Sequence, residues 1–410
     1  MKVFLLSDYF YPFNPGGSEW SVYELGQSLK KEGLTPLIVT LNYGAAEEEN
    51  YHGMKILRLP FYKKLKSQRQ VVNPIWQNNP IFFLTSAFHL VKAIRDKNPD
   101  LLHVHGKFLI PPAIIAGFIT KKPVVVSIRD KQMFCSIGKC FFDAKRTKAC
   151  NFFEYLTSDI PWFFQNYSKN KNFLMLAYIY LGSIWTRVAY EIIKFFARRS
   201  SSIIAISQSH KAYLEANGFS KVKVIYNTIN FPGIKSTVQK NKSVLFAGKL
   251  SKGKGGEILI NSIKGLAKAN KISFLFAGTV EIRTNVSKRY TNFLGSVEYQ
   301  KLLNLYSRVS AIILPSIYPE SFGRIALEAI SVGTPAIVSN IGALPEIVDD
   351  KVTGRVIEPD ENEIKKAILD VVKNEERYKL NIKKRYSQLK KKFHDDPLQH
   401  HISLYKILQK

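Results

Sequence analysis

Two doubly wound α/β domains in tandem are the architecture this sequence predicts, and three observations carry the prediction. Short, wholly apolar runs recur along the chain. Helical periods fall between them. The whole pattern then restarts past the middle of the sequence. Wholly apolar runs mark parallel strands covered on both faces, and strands alternating with helices mark a doubly wound sheet. With 410 residues, 46% of them hydrophobic, the chain is long enough for two full cores.

The first strand set is KVFLLSD (2–8), TPLIVT (35–40), DLLHVHG (100–106), VVVSIRD (124–130) and IIAIS (203–207). Between the first two, Val22, Leu25, Gly26 and Leu29 recur at helical spacing, and Gly33 stops that helix. The second set is KVIYN (223–227), SVLFAGKL (243–250), ISFLFAGT (272–279), AIILPS (311–316) and PAIVSN (335–340). Leu259, Ser262, Ile263 and Leu266 mark one intervening helix face, and Ile364, Ala367, Ile368 and Val371 a later one. Residues 225–240 lack periodicity and place the boundary. The domains are therefore expected at 1–225 and 226–380, with 381–410 as C-terminal helices. Residues 381–393 hold six basic residues and no acid. They suit either a solvated helix face or an interaction surface.

The first apolar run is too short for a signal-peptide core. The uncharged stretch 173–186 falls short of the ~20 residues that span a bilayer, so no transmembrane helix is expected. The formal net charge of +28, from 60 Lys+Arg against 32 Asp+Glu, implies polyanionic surroundings. Nucleic acid, an anionic membrane face and phosphorylated substrates all fit, as does a simple bias toward lysine. Three cysteines, Cys135, Cys140 and Cys150, are too few for a secreted disulfide framework.

Two constellations carry chemistry. In FAGKLSKGKGG (246–256), Gly248, Gly253 and Lys254 follow the phosphate-binding P-loop pattern, but Gly255 stands where Ser or Thr would hold Mg²⁺. A glycine-rich turn before a helix is an anion site, and Lys249 and Lys254 add charge. A plain turn with exposed lysines gives the same pattern. In YPESFGRIALEAISVGTP (318–335), Glu320 precedes a helix start and Glu328 lies about two turns along. The amides of Ser321, Phe322 and Gly323 would face the crevice at the strand end, where open α/β sheets bind ligands. Two carboxylates there suit sugar hydroxyls; they equally suit a capping acid and a helix-surface acid.

With PGGSEW (15–20), DLLHVHG (100–106), YNTIN (226–230) and GTPAIVSNIGALPEIV (333–348), these segments resemble glycosyltransferase family 4, in the same order over nearly the whole chain. The resemblance implies the GT-B fold, two Rossmann-like domains facing across a cleft, with a last helix crossing back to the N-terminal domain. It implies a retaining glycosyltransferase, hexosyltransferase in type, that uses a nucleotide-diphosphate sugar with no metal and no cofactor. Gly16 and Gly17 would let the first loop approach the donor. Lys249 and Lys254 would clamp the diphosphate, although the family more often has Arg at the first position. Glu328 would bind the ribose. Glu320 would meet the transferred sugar, with Phe322 and Gly323 amides near sugar or phosphate, and Asn227 would belong to the interdomain segment. The absence of an Asp-x-Asp triplet agrees with lysine in place of metal. Glu320, Lys254 and Arg129 are the expected catalytic groups.

One departure stands out: Arg129–Asp130 replaces a His–Asp pair common in the family. Arg129 cannot act as a base. It would touch a sugar, phosphate or anionic acceptor, or pair structurally with Asp130. His105, at a neighbouring strand end, either faces the acceptor or is simply hydrogen-bonded. The cysteines would be structural thiols, with zinc or redox roles as alternatives. The stretch 152–199 mixes aromatics (Phe152, Phe153, Trp162, Phe163, Phe164, Tyr178, Tyr180, Trp185) with Arg187, Lys194, Arg198 and Arg199. It reads as an in-plane membrane surface within an insertion at about 131–200, extended by Lys63, Lys64, Lys66 and Arg69, or as a core helix pair. The implied partners are a glycan or lipid-linked acceptor and an anionic membrane surface, at the cytoplasmic face of the cell membrane, in cell-surface polysaccharide or glycoconjugate synthesis. A basic nucleic-acid-binding protein and a nucleotide-cofactor oxidoreductase are the other readings. The scattered basic residues disfavour the first, and the lack of Gly-x-Gly-x-x-Gly spacing after the first strand disfavours the second.

Overall fold

The computed structural model describes residues 1–13, 16–68, 70–131, 133–134, 148–161, 173–235, 237–239, 242–282, 284–287 and 289–409. They form two α/β domains. The first sheet contains β1 (Lys2–Leu6), β2 (Thr35–Leu41), β3 (Glu48–Tyr51), β4 (Met54–Leu59), β5 (Leu101–Val104), β6 (Val124–Ile128), β7 (Ser202–Ala205) and β8 (Val222–Val224). Their order is β3-β4-β2-β1-β5-β6-β7-β8, parallel except for the antiparallel β3–β4 edge. The second sheet contains β9 (Ser243–Ala247), β10 (Ser273–Ala277), β11 (Thr291–Gly295), β12 (Ala311–Leu314), β13 (Ala336–Ser339) and β14 (Gly354–Ile357), in the parallel order β11-β10-β9-β12-β13-β14. Strand order reverses beside β1 and again beside β9. These two switch points open crevices at the carboxyl ends of the strands.

Side-chain alternation along each strand feeds two cores per sheet. From β1, Val3 and Leu5 pack under the helices Ser18–Lys31 and Asp396–Gln409. Phe4 and Leu6 face the opposite way, into the core formed with the helices Pro80–Lys97, Ile110–Thr120 and Phe173–Ala197. In the second domain, Val244 and Phe246 meet Leu259, Ile364 and Ile368, while Leu245 and Ala247 meet Ala326 and Ile330. The helix Glu361–Lys373 starts at Asp360, whose carboxylate accepts from the Asn362 and Glu363 amides and caps the free N–H groups.

Several expected strands stop early. Those at 2–8, 124–130 and 243–250 end at Leu6, Ile128 and Ala247. The residues left over, among them Asp8, Arg129 and Lys249, form the loops that line the crevices.

The last helices tie the domains together. Tyr378, Ile382 and Phe393 are buried in second-domain cores, whereas Leu398, Ile402 and Tyr405 are buried in the first. The crossing therefore lies between Phe393 and Leu398. Tyr405 Oη and His103 Nδ1 are 2.6 Å apart at its far end. Among the described residues no helix is long and apolar enough to cross a membrane. Cys150 is buried. Cys135, Cys140, Arg69, Trp162, Phe163 and Phe164, and the side chain of Tyr178, lie outside the described residues.

Candidate active site

The lysine-rich turn follows β9. A short 3-10 turn, Lys252–Lys254, leads through Gly255 into the helix Gly256–Ile263. Gly255 has φ +71°, and a Cβ there would sit 1.8 Å from the Pro315 carbonyl oxygen. No Ser or Thr fits without moving that backbone, which explains the departure from the P-loop pattern. The Gly253 carbonyl accepts from the Ile317 and Tyr318 amides, each at 3.1 Å, and so joins this turn to the loop after β12. Glu320 rides on that loop. Its Oε1 accepts from Lys254 Nζ and, at 2.9 Å, from Ser316 Oγ. Lys249 lies half-exposed, ion-paired to Glu281 at 2.7 Å.

The helix Arg324–Ser331 begins at Gly323, whose φ is +93° and whose Cβ would meet Leu344 Cδ2 at 2.6 Å. Phe322 is buried in the core beneath, so its side chain anchors the loop. Glu328 is buried on the same helix. Its Oε1 accepts from Arg324 Nε at 2.5 Å and its Oε2 from Tyr306 Oη at 3.3 Å. Burial pushes the Glu328 carboxyl up, and the Arg324 charge opposes that shift.

Arg324 also crosses the cleft. Nη1 donates to Ser21 Oγ, and Nη2 donates to Glu24 Oε2 and Tyr299 Oη, each at 2.8 Å. Tyr299 Oη donates to Glu24 Oε1 at 3.0 Å, and its ring stacks on Trp20 with centroids 4.6 Å apart. Burial disfavours the guanidinium charge, but Glu24 and Glu328 outweigh it and hold Arg324 above its ordinary pKa. A Cβ on Gly17 would lie 3.6 Å from Arg324 Cδ, so the first loop touches the second domain here. Gly16 donates its amide to Glu19 Oε2 at 3.2 Å.

The facing wall of the first domain is rich in buried ionisable groups. Asp8 accepts from the Phe108 and Leu109 amides, yet burial pushes its carboxyl up to about 7. Burial also raises Glu19. Arg129 contacts His105 Nδ1 at 3.2 Å and donates to Asn227 Oδ1 at 2.5 Å. Burial and the Arg324 charge push Arg129 down to about 10. An arginine only donates, so His105 Nδ1 accepts and the imidazole proton resides on Nε2. That Nε2 is buried and has no hydrogen-bond partner among the described residues. Burial lowers His105 well below its ordinary pKa, so the ring is neutral.

A second junction closes the cleft floor. Glu346 of the second domain accepts from the Gln208 and Ser209 amides at 2.9 and 2.7 Å, at the start of a first-domain helix. A carboxylate at a helix N-terminus is stabilised there. Ser207 Oγ donates to the Ser321 carbonyl at 2.8 Å. Among the described residues, no cluster of three or more His, Cys, Asp or Glu side chains could hold a metal.

The folded chain thus gathers Lys254, Glu320 and the turn bearing Lys249 at one crevice, and Gly17 with Glu328 around Arg324. His105 and Arg129 form a third group. Sequence reasoning overlooked Arg324, Glu24 and Tyr299. Arg324 had a signal: it stands four residues from each of Glu320 and Glu328, the spacing of helical ion pairs. Its partners Ser21 and Glu24 left none, because they lie some 300 residues away.

Residues 229–388 match the family model described as glycosyl transferases group 1, and residues 15–149 match that of glycosyltransferase family 4. An uncharacterized glycosyltransferase of Methanocaldococcus jannaschii is 25% identical over 393 residues, covering 88% of this chain and 85% of that protein. An uncharacterized protein from the cps region of Klebsiella pneumoniae is 28% identical, covering 65% of this chain and 68% of its own length. The fold matches sucrose-phosphate synthase from Thermosynechococcus elongatus with a TM-score of 0.71 at 16% identity, over 99% of this chain and 98% of that one. It matches Anabaena HepE, solved with UDP and glucose, with a TM-score of 0.66 at 17% identity over 98% of both.

Proposed function

The chain belongs to the glycosyltransferases of the group 1 and family 4 type, and from that premise we propose that it transfers a sugar from a nucleotide-diphosphate donor to a glycan or lipid-linked acceptor. The transfer retains anomeric configuration and needs no metal. The observation that carries this reading is the Lys254–Glu320 pair, held at the mouth of the glycine-rich turn after β9. As the glycosidic bond breaks, charge grows on the leaving diphosphate. Lys254 and Lys249 stabilise it as their ammonium groups turn from Glu320 and Glu281 to the phosphates. Glu320 accepts from hydroxyls of the transferred sugar, and Phe322 and Gly323 present backbone amides beside it. Glu328 accepts from ribose hydroxyls, since its carboxylate has acceptor capacity beyond Arg324 and Tyr306.

Arg129 and neutral His105 serve the acceptor side, with His105 Nε2–H as a donor to an acceptor oxygen. HepE, which shares the fold, was solved with UDP and glucose, and this supports a nucleotide-sugar donor here. A relative from a cps region supports a role in surface polysaccharide synthesis. With a lipid-linked acceptor, the enzyme works peripherally at the cytoplasmic face of the membrane.

A thermal-shift screen against UDP-, GDP- and ADP-sugars identifies the donor, because a ligand of the native state raises the melting temperature. With that donor, Lys254→Ala and Glu320→Ala lower kcat/KM by about a thousandfold while melting near the parent temperature. Near-normal turnover in either variant overturns the assignment.

A further inference from the structure

The helix Pro80–Lys97 is apolar on two sides. Phe82, Phe83, Leu90 and Ile94 fill the first-domain core. Ile81, Leu84 and Phe88, spaced as one helical stripe, are 75%, 62% and 68% exposed. The stripe continues into exposed Lys92 and Arg95. The helix Ile110–Thr120 packs alongside and leaves Phe118 87% exposed, followed by exposed Lys121. On its other flank the helix Phe173–Ala197 exposes Leu181 and Phe195. All three helices bury their inner faces in one core on one side of the sheet, so their outer stripes share one face. Soluble surfaces scatter single apolar residues; a contiguous face of this kind marks an interaction site.

We propose that this face docks in the plane of an anionic lipid bilayer. The charges around it choose the occupant. Lys63 stands 3.9 Å over the Trp76 ring, and the Arg199 guanidinium 3.3 Å over the Phe195 ring, pairing cations with aromatics as at a membrane interface. The nearby acids Asp96 and Glu191 are ion-paired, to Lys97 and Lys194. A second copy of the chain would set one basic rim against another, and a nucleic acid offers no apolar interior. An anionic bilayer offers acyl chains for the stripe and phosphates for the rim. The stripe begins at the end of its helix nearest the crevice, so docking brings the crevice mouth close to the bilayer surface. The purpose, access to a lipid-linked acceptor, rests on the function proposed above; the docking itself does not.

Sedimentation of the full chain with vesicles tests the docking, using phosphatidylcholine alone and phosphatidylcholine with phosphatidylglycerol. The parent binds the anionic vesicles and releases them at high salt. Ile81→Ser/Leu84→Ser/Phe88→Ser, all exposed positions, weakens partitioning at least about tenfold with an unchanged melting temperature. Lys92→Glu/Arg95→Glu weakens it by roughly fivefold or more. Donor-induced thermal shift stays at the parent value in both variants, so a failure of donor binding is separable from a failure of docking. A parent that ignores anionic vesicles overturns the proposal. So do variants that bind like the parent, or a parent dimer that the serine variant makes monomeric.

Discussion

The two domains share a parallel sheet and a crevice at the switch point, but they build their cleft walls from different materials. The second domain relies on backbone geometry. Gly255 and Gly323 adopt left-handed conformations against Pro315 and Leu344, and they place Lys254 and Glu320. The first domain relies on buried ionisable side chains, with Asp8, Glu19, His105 and Arg129 each shifted by burial. Their outer surfaces differ too. The helix Glu361–Lys373 buries Ile364, Ala367, Ile368 and Val371 and turns polar residues outward, whereas Pro80–Lys97 is apolar on both sides. The same scaffold thus carries a close-packed glycine turn in one domain, and a titratable wall with an apolar outer face in the other.

The largest effect is expected where the walls meet. Arg324→Ala leaves Glu24 and Glu328 without their common cation. It should destabilise the protein by about 4 kcal/mol, the cost of breaking a buried ion pair from one side. Urea denaturation measures this, and a loss under about 1 kcal/mol would mean that the two walls are not coupled through this residue.

Gly255→Ala probes the backbone wall. Positive φ and the contact with the Pro315 carbonyl together cost about 3 kcal/mol. Gly265→Ala is the control, because Gly265 has φ +78° but, among the described residues, nothing within 4 Å of an added Cβ. It should cost only about 1 kcal/mol. Equal losses in the two variants would show that close packing plays no part at the Gly255 turn.

The titratable wall predicts a pH dependence. His103, His105, His210 and His401 all pack in the first domain, and burial lowers each below the ordinary histidine pKa, the last two to about 3. Below about pH 6.5 the unfolded chain binds protons that the folded one refuses, so stability falls as pH falls. From about pH 7.5 to about pH 5.5 the four histidines cost about 5 kcal/mol. Asp8 and Glu19, raised in the fold by burial, act with the opposite sign and return part of this, so the net loss is smaller. Denaturant midpoints across that range, followed domain by domain, should show the first domain weakening more than the second. Parallel shifts in both would remove the contrast.

Much of the fold was legible because parallel strands buried on both faces must be continuously apolar. Runs such as Val124–Ile128 and Ala311–Leu314 announce themselves. β3, Glu48–Tyr51, does not, being a polar antiparallel edge. β4, Met54–Leu59, hides Arg58, which is fully buried but satisfied by the Ala46 and Tyr11 carbonyls and by Glu49. The helices Pro80–Lys97 and Ile110–Thr120 were missed because apolar residues on both sides erase the helical period. The same property makes Pro80–Lys97 the centre of the proposed docking face.

By itself the sequence determined the two-domain α/β plan, the glycine-rich turn and the pair Glu320 and Glu328. Strand burial, tight turns and helix starts are written in neighbouring residues. Only the tertiary structure decided that Arg324 bridges Glu328 to Glu24, that Arg129 meets His105 and Asn227, and that three helices pool their outer stripes. The reason is physical. Ion pairing and desolvation depend on distance in space, and no local pattern encodes a distance between segments hundreds of residues apart.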